Sequence, residues 1–380
     1  MLLAPLAFLL TFPLSLLAPA ILGGGVYVLW GWYSGALVGA AYLVGGLALT
    51  VWALTGRWIV LLLLGRNETD APTSIRSGEV IELKRPDGTR LRVERYGRPD
   101  GPTVLLTHGW GTDSTEWQYA RQALASRFRV LVWDLRGLGQ SSAPPTNDYR
   151  LESMATDLEA VLGLAAGGEP VVLAGHSIGG MTILSFCRHF PEHLAPRGRV
   201  AGLALVNTTY TTPLATTTAS GFFSAIRRPV LEPLLHLTIW LWPLMWLGSW
   251  MSYLNGTAHL VSWLTGFTGR APRGQLDFTT WLGVKASPAV LSRGVLATFR
   301  YDEATTLAAV GVPTLVITGD GDRVLVPQAS AHMAETLPHA ELLALQDARH
   351  QALLQRHLTF DEELTAFADQ CLAAAAARAT

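Results

Sequence analysis

The sequence predicts an α/β protein: a mostly parallel central sheet with helices on both faces, a helical cap, and transmembrane helices ahead of the sheet. Three observations carry this. From residue 79 onward, short apolar segments alternate with helical patterns, as a parallel sheet covered on both faces requires. The alternation stops for about a hundred residues between Val206 and Val312, which is room for a cap. Residues 1–64 hold a single charged residue, Arg57, although charged residues make up 15 % of the 380-residue chain. The expected organisation is therefore an anchor over 1–64, a linker over 65–78, a core formed by 79–207 and 301–380, and a cap over 208–300.

Residues 2–22 form a 21-residue apolar run, long enough to cross a bilayer core of about 30 Å. Pro5, Pro13 and Pro19 are expected to kink or divide it, and Gly23–Gly25 to form a flexible joint. A second run, Val26–Leu64, has 39 residues and would be about 58 Å long as one helix. It reads as one tilted span or as two spans broken near Gly45–Gly46, giving two or three spans in all. Gly31, Gly35 and Gly39 recur every fourth residue, as on a helix face made for close packing in lipid. A cleaved signal peptide fits less well, because no Lys or Arg precedes the first run. Arg57, Arg66, Arg76, Lys84 and Arg85 occur only at or after the last span. By the positive-inside tendency, this predicts an integral membrane protein with its downstream domain in the cytoplasm.

The remaining composition excludes other classes. A net charge of -1 with no basic run does not suit a nucleic-acid binder. Two cysteines cannot build a disulfide scaffold. At 49 % hydrophobic residues, the chain has ample apolar surface to bury and is not disordered.

The sheet begins with a hairpin, Glu79–Lys84 and Arg90–Tyr96 around the turn Pro86-Asp87-Gly88. Parallel strands are expected at Val104–Thr107, Val130–Trp133, Val171–Ala174, Val200–Val206, Thr314–Thr318 and Glu341–Leu345. Helices begin near Ser114, Ser153, Ile178 and Pro327, and a last one follows His350.

Four motifs sit at the C-terminal ends of those strands, where open α/β sheets carry their chemistry. Gly175-His176-Ser177-Ile178-Gly179 lies between a strand and a helix, the context of a nucleophile elbow. His108-Gly109-Trp110-Gly111 forms a loop that can aim a backbone N–H at a developing oxyanion, the N–H of Ile178 being the other donor. Asp134 to Ser141 reads as a charged turn that holds its own loop. Gly319-Asp320-Gly321-Asp322 closes one strand, and His350 follows the last. The order Ser177, acid, His350 suits nucleophilic acyl transfer. Asp320 competes with Asp322 as the acid, and His339 and His357 compete with His350 as the base. His189 and His193 have metal-pair spacing, but Pro191 breaks the helix such a pair needs. Neither a metal nor an organic cofactor is expected.

From about residue 79 to the C-terminus the sequence resembles the α/β-hydrolase superfamily. His108-Gly109-Trp110, Asp134 through Ser141, Gly175 through Gly180, and Asp322 with Pro327 carry the resemblance. Within the superfamily it is similar to monoacylglycerol-lipase-like and other membrane-anchored esterases. The resemblance implies Ser177 as nucleophile, His350 as base, Asp322 as its orienter, and Trp110 and Ile178 as the oxyanion hole. It departs at Arg349, where the family usually has glycine. A serine in the elbow speaks against the dehalogenase and epoxide-hydrolase branches, which use aspartate there.

Leu234–Leu254 carries no formal charge and contains Trp240, Trp242, Trp246 and Trp250. This stretch is expected to line an acyl pocket or dip into the bilayer, with Trp240, Trp246 and Met181 as substrate contacts. A span here would separate Ser177 from Asp322 and His350, so none is expected. The predicted activity is serine hydrolysis of lipid-like carboxylic esters, with the bilayer as partner. Thioester hydrolysis, cofactor-free perhydrolysis and a catalytically silent lipid-binding protein are the alternatives.

Overall fold

Two long apolar helices open the chain in the computed structural model, which describes residues 5–68, 70–165, 168–196 and 198–379. They are α1 (Pro5–Tyr33) and α2 (Ala40–Leu64). Both are long and apolar enough to cross a membrane. The break between them differs from the expected ones. α1 runs through Pro13, Pro19 and Gly23–Gly25 without interruption, and the chain turns at residues 34–39 instead. Gly35 and Gly39 lie in that turn with positive φ, so they do not share a helix face with Gly31. The glycines that bring the helices together are Gly25 and Gly46. A Cβ on Gly25 would lie 2.6 Å from Thr50 Oγ1, and one on Gly46 would lie 2.8 Å from Leu29.

The central sheet has eight strands. They are β1 (Glu79–Lys84), β2 (Arg90–Gly97), β3 (Thr103–Thr107), β4 (Arg129–Trp133), β5 (Val171–His176), β6 (Val200–Val206), β7 (Thr314–Gly319) and β8 (Ala340–Leu345). Their spatial order is β1-β2-β4-β3-β5-β6-β7-β8. Only β2 pairs antiparallel, with β1 on one side and β4 on the other; all other pairs are parallel. Every residue of β3 to β7 is buried, which is why these strands read as unbroken apolar runs. Alternate residues serve opposite faces. Leu105, Leu131, Leu173 and Leu203 join one core, while Val104, Val130, Val172 and Ala204 join the other.

Helices α3 (Gln118–Ala125), α4 (Leu151–Leu162) and α5 (Ile178–His189) connect the first strands. Six helices then fill the interval between β6 and β7: α6 (Ser220–Ile226), α7 (Glu232–Trp240), α8 (Trp242–Leu254), α9 (Thr257–Gly266), α10 (Arg273–Lys285) and α11 (Pro288–Thr298). A bridge between Thr211 and Asp302 ties the two ends of this cap together. The segment from Ser220 to Leu254 is apolar enough to form one broken span, but it bends by 96° at Leu241. The chain closes with α12 (Pro327–Thr336), α13 (Ala352–Gln355) and α14 (His357–Ala379).

The N-terminal hairpin and the helices between β6 and β7 are interleaved rather than strung in series. Phe8, Ser15 and Ala18 of α1 are buried, as are Ala53, Val60 and Leu61 of α2. A Cβ on Gly248 of α8 would collide with the carbonyl of Ser15, and one on Gly56 would lie 2.6 Å from the Asn255 carbonyl. The tip of the hairpin is different: Tyr27, Trp30, Tyr33, Val38 and Val44 are all exposed.

The expected linker is likewise structural. Gly65–Arg66 pairs in parallel with Ala271–Pro272. Arg76 enters a buried carboxylate cluster, 3.0 Å from Glu94, 3.2 Å from Asp113 and 3.1 Å from Asp134. Burial works against its charge, but Asp134 and Asp113 hold the guanidinium protonated above its ordinary range. Asp134 also accepts the N–H groups of Ser114 and Gln140, so it fastens two neighbouring loops at once.

Candidate active site

Ser177 sits between β5 and α5 with φ 55 and ψ -119, a backbone conformation that costs a non-glycine residue about 1–3 kcal/mol. The turn is possible because its neighbours lack side chains. A Cβ on Gly175 would lie 2.5 Å from the Gly179 backbone, and one on Gly179 would collide with the Thr107 carbonyl. The N–H of Ser177 donates to Val206 O at 2.9 Å, and its carbonyl accepts from Thr208 Oγ1 at 2.6 Å. The serine is thus held at the head of α5, whose first residue is Ile178.

The structure brings Ser177, His350 and Asp322 together from the ends of β5, β8 and β7. Ser177 Oγ lies 3.0 Å from His350 Nε2, and His350 Nδ1 lies 2.8 Å from Asp322 Oδ2. Asp322 is fixed in turn by Asn207 Nδ2 at 2.8 Å and by the N–H groups of Val324 and Leu325 at 2.8 and 3.2 Å. Burial pulls the His350 imidazole below its ordinary range; Asp322 opposes this and His176 adds to it. All three side chains are enclosed, with Ser177 only 2 % exposed.

The rivals lie elsewhere. Asp320 is exposed and accepts from Ala348 N at 3.2 Å. His339 is exposed. His357 stacks on Tyr119 at 4.0 Å and faces Asp70. Among the described residues, no three His, Cys, Asp or Glu side chains are grouped to hold a metal ion.

The loop His108–Gly111 is braced from both sides. The Trp110 indole donates to Leu291 O of α11 at 3.0 Å, and its ring meets Tyr149 edge-on at 5.9 Å. His108 Nε2 accepts the Leu135 N–H at 2.9 Å. Glu116, fully buried, accepts the Gly109 N–H at 2.8 Å and lies 3.1 Å from His176 Nδ1. His176 Nε2 donates to the His350 carbonyl at 2.9 Å. Burial works against the Glu116 charge, yet His176 and the Gly109 N–H hold its pKa down to about 2. One buried pair therefore ties the Gly109 loop to the backbone of His350.

Arg349, where the family usually has glycine, sends its guanidinium to Leu264 O at 2.7 Å, at the C-terminal end of α9. It fastens the cap to the His350 loop. Charge at a helix C-terminus is also favourable.

The expected substrate contacts are not assembled. Trp240 is 77 % exposed on the outer surface, because the bend at Leu241 turns it outward. Trp246 spends its indole N–H on Val284 O at 2.9 Å. Met181 is buried within the core on α5. Asn207 and Glu116 are the neighbours that sequence reasoning passed over, whereas His176 supports the active-site loops as its place beside Ser177 suggests. Asn207 is wholly buried against Asp322, a contact made across 115 residues of chain that no local pattern announces.

A family model described as alpha/beta hydrolase fold matches residues 102–356. The chain belongs to the α/β-hydrolase family. A 104-residue stretch is 40 % identical to the probable oxidoreductase EphD of Mycobacterium tuberculosis, covering 27 % of this chain and 18 % of that protein. The chain thus spans under a fifth of the length of the first curated relatives it matches. The putative carbamate hydrolase RutD of a Caulobacter species is 29 % identical over 259 residues, 66 % of this chain and 85 % of the relative. Among solved structures, a membrane phospholipase A, a bacterial virulence factor, aligns with a TM-score of 0.60 at 22 % identity. That alignment covers 83 % of this α/β hydrolase and 89 % of the other chain, and shows the shared fold.

Proposed function

We propose that this α/β hydrolase is a membrane-anchored serine esterase that cleaves lipid-like carboxylic esters through an acyl-enzyme on Ser177. The observation that carries the reading is the continuous chain Ser177 Oγ–His350–Asp322, at 3.0 and 2.8 Å, on a strained turn. His350 Nε2 takes the hydroxyl proton as Oγ bonds to the acyl carbon. Asp322 holds the imidazole in place and stabilises the imidazolium. The carbonyl oxygen gains charge and rests on the N–H groups of Trp110 and Ile178, each worth about 3 kcal/mol of barrier. The bond to the alcohol oxygen breaks, and His350 returns the proton to that oxygen. Water then repeats the sequence: His350 takes its proton, its oxygen bonds to the acyl carbon, and Ser177 Oγ leaves with the proton.

Two features support the lipid-like substrate. The anchor helices and the cap share an apolar interface, and the hairpin tip exposes only uncharged side chains. An acyl chain gains about 0.8 kcal/mol per buried CH2, so an enzyme at the bilayer profits from long chains. Arg66, Arg76, Lys84 and Arg85 follow the hairpin, which favours a cytoplasmic catalytic domain.

A fluorophosphonate probe tests the reaction class. Wild type is expected to be labelled and Ser177→Ala to stay unlabelled; equal labelling of both would overturn the reading. The pH profile is a second check. His350 must be neutral to accept the proton, so activity is present above its pKa and falls as pH drops through it. Burial lowers that pKa, so the acid limb of kcat/KM for a p-nitrophenyl ester is expected below about pH 6.5. A limb well above neutral pH would contradict this.

A further inference from the structure

Ser177 is enclosed, so a substrate must reach it through the surrounding structure. A narrow apolar cavity of about 80 Å³ lies between the first half of α1 and the cap. Phe12 and Ser15 of α1, Met245 of α8, Val261 of α9, Leu291 of α11 and Gly111 line it. Gly111 directly follows Trp110, and Leu291 is the residue whose carbonyl holds the Trp110 indole. Through Gly111 and Leu291 the cavity thus touches the loop that carries Trp110, a proposed oxyanion donor.

The walls are chemically mute. Among the described residues, no charged one lines the cavity. Four of its hydroxyls turn back onto their own helices: Thr238 donates to Leu234 O, Ser249 to Met245 O, Ser262 to Ala258 O and Thr280 to Leu276 O, at 2.7–3.0 Å. With those donors engaged, the walls favour an apolar occupant over a polar head group. The α1 wall is firmly seated. Its Ser15 carbonyl is in backbone contact with Gly248, and Leu14 O accepts from Ser252 Oγ at 3.3 Å. Directly beyond Ser15, Leu16 and Leu17 are exposed, and the helix continues into the apolar hairpin. One helix thus passes from the cavity wall to the outer apolar surface.

We propose that Phe8–Ser15 of α1 form a wall of the acyl-chain site, so that the anchor helix itself selects the substrate. The occupant is the unbranched acyl chain of the ester, which travels along α1 from the bilayer toward Ser177. The inference rests on the esterase reading. It predicts that kcat/KM rises about fourfold per added CH2 until the cavity is full.

The test uses the full-length protein in detergent micelles. A long-chain p-nitrophenyl alkylphosphonate with a terminal diazirine is allowed to react with Ser177, then irradiated, and the cross-linked peptides are mapped. Cross-links within residues 8–15 and 245–252 are expected. Cross-links confined to other surfaces, such as the polar cleft near Arg150, Arg293 and Arg300, would overturn the site. So would reaction of a methylphosphonate but not of the long-chain probe. If neither phosphonate reacts with Ser177, the esterase reading itself fails, and the site with it. In parallel, Thr11→Trp is expected to fill the cavity and lower the ratio of decanoate to acetate hydrolysis at least tenfold; an unchanged ratio would count against the α1 wall.

Discussion

Ser177→Ala is expected to lower kcat for ester hydrolysis by about 10⁵–10⁶-fold while leaving the fold intact. The reason lies in cooperation: without the hydroxyl, His350 and Asp322 have no proton to move, and only the oxyanion donors remain. Ser177→Gly should be equally inactive but should behave differently in a melt. Ser177 holds φ 55 and ψ -119. Alanine inherits that penalty, whereas glycine adopts positive φ at little cost. The glycine variant should therefore melt at a higher temperature than the alanine variant, with a difference of about 1–3 kcal/mol. Thermal unfolding followed by intrinsic fluorescence reads this directly. Equal melting temperatures would mean that the turn stores no strain.

The largest effect on stability is expected from Arg76→Ala, at about 3–5 kcal/mol. Arg76 is nearly enclosed, and Glu94, Asp113 and Asp134 are almost wholly buried around it. Arg92 reaches Glu94 at 3.1 Å and Lys285 reaches Asp113 at 3.2 Å. Asp134 would be left without a comparable cation. Removing one partner of a buried ionic cluster costs more than the cluster contributes, because the remaining charges cannot be rehydrated. The loss should also reach the chemistry, since Asp134 fastens the loops after β3 and β4. Arg76→Lys should recover part of the stability. A melting temperature for Arg76→Ala within about one degree of wild type would refute the assignment.

The strands and the loops that end them were legible because each is a local statement. A run such as Val171–His176 is apolar throughout, and the glycines beside Ser177 announce a turn that side chains would block. The order of Ser177, Asp322 and His350 along the chain was legible for the same reason. The anchor was legible in composition but not in geometry. Glycine triplets suggest a joint, yet Gly23–Gly25 remain helical, with Gly25 packed against Thr50 and Gly46 of α2. The cap was the least legible part. Its tryptophans are spread over a helix that bends at Leu241, and which of them face inward depends on where α1 docks. Arg76 looked like a residue of a loose linker. Its three carboxylate partners come from β2 and from the loops after β3 and β4, so no window along the sequence contains the cluster. Glu116 left no local signal, because it closes the polar stretch Thr112-Asp113-Ser114-Thr115.

The interleaving of anchor and cap constrains how the chain can lie across a bilayer. The first half of α1 and the second half of α2 both pack on the cap, so both must lie on the side where the sheet folds. Any insertion of the tip must consequently be that of a closed hairpin, out and back, with its turn at residues 34–39 as the far point. That turn carries no charge. Crossing therefore requires no ion to be dehydrated, and the hairpin can enter as one piece. A single span, or three, would leave part of the cap's own packing surface on the wrong side of the membrane. The path of any such hairpin is in this sense set by the protein's own interior, before a bilayer is met.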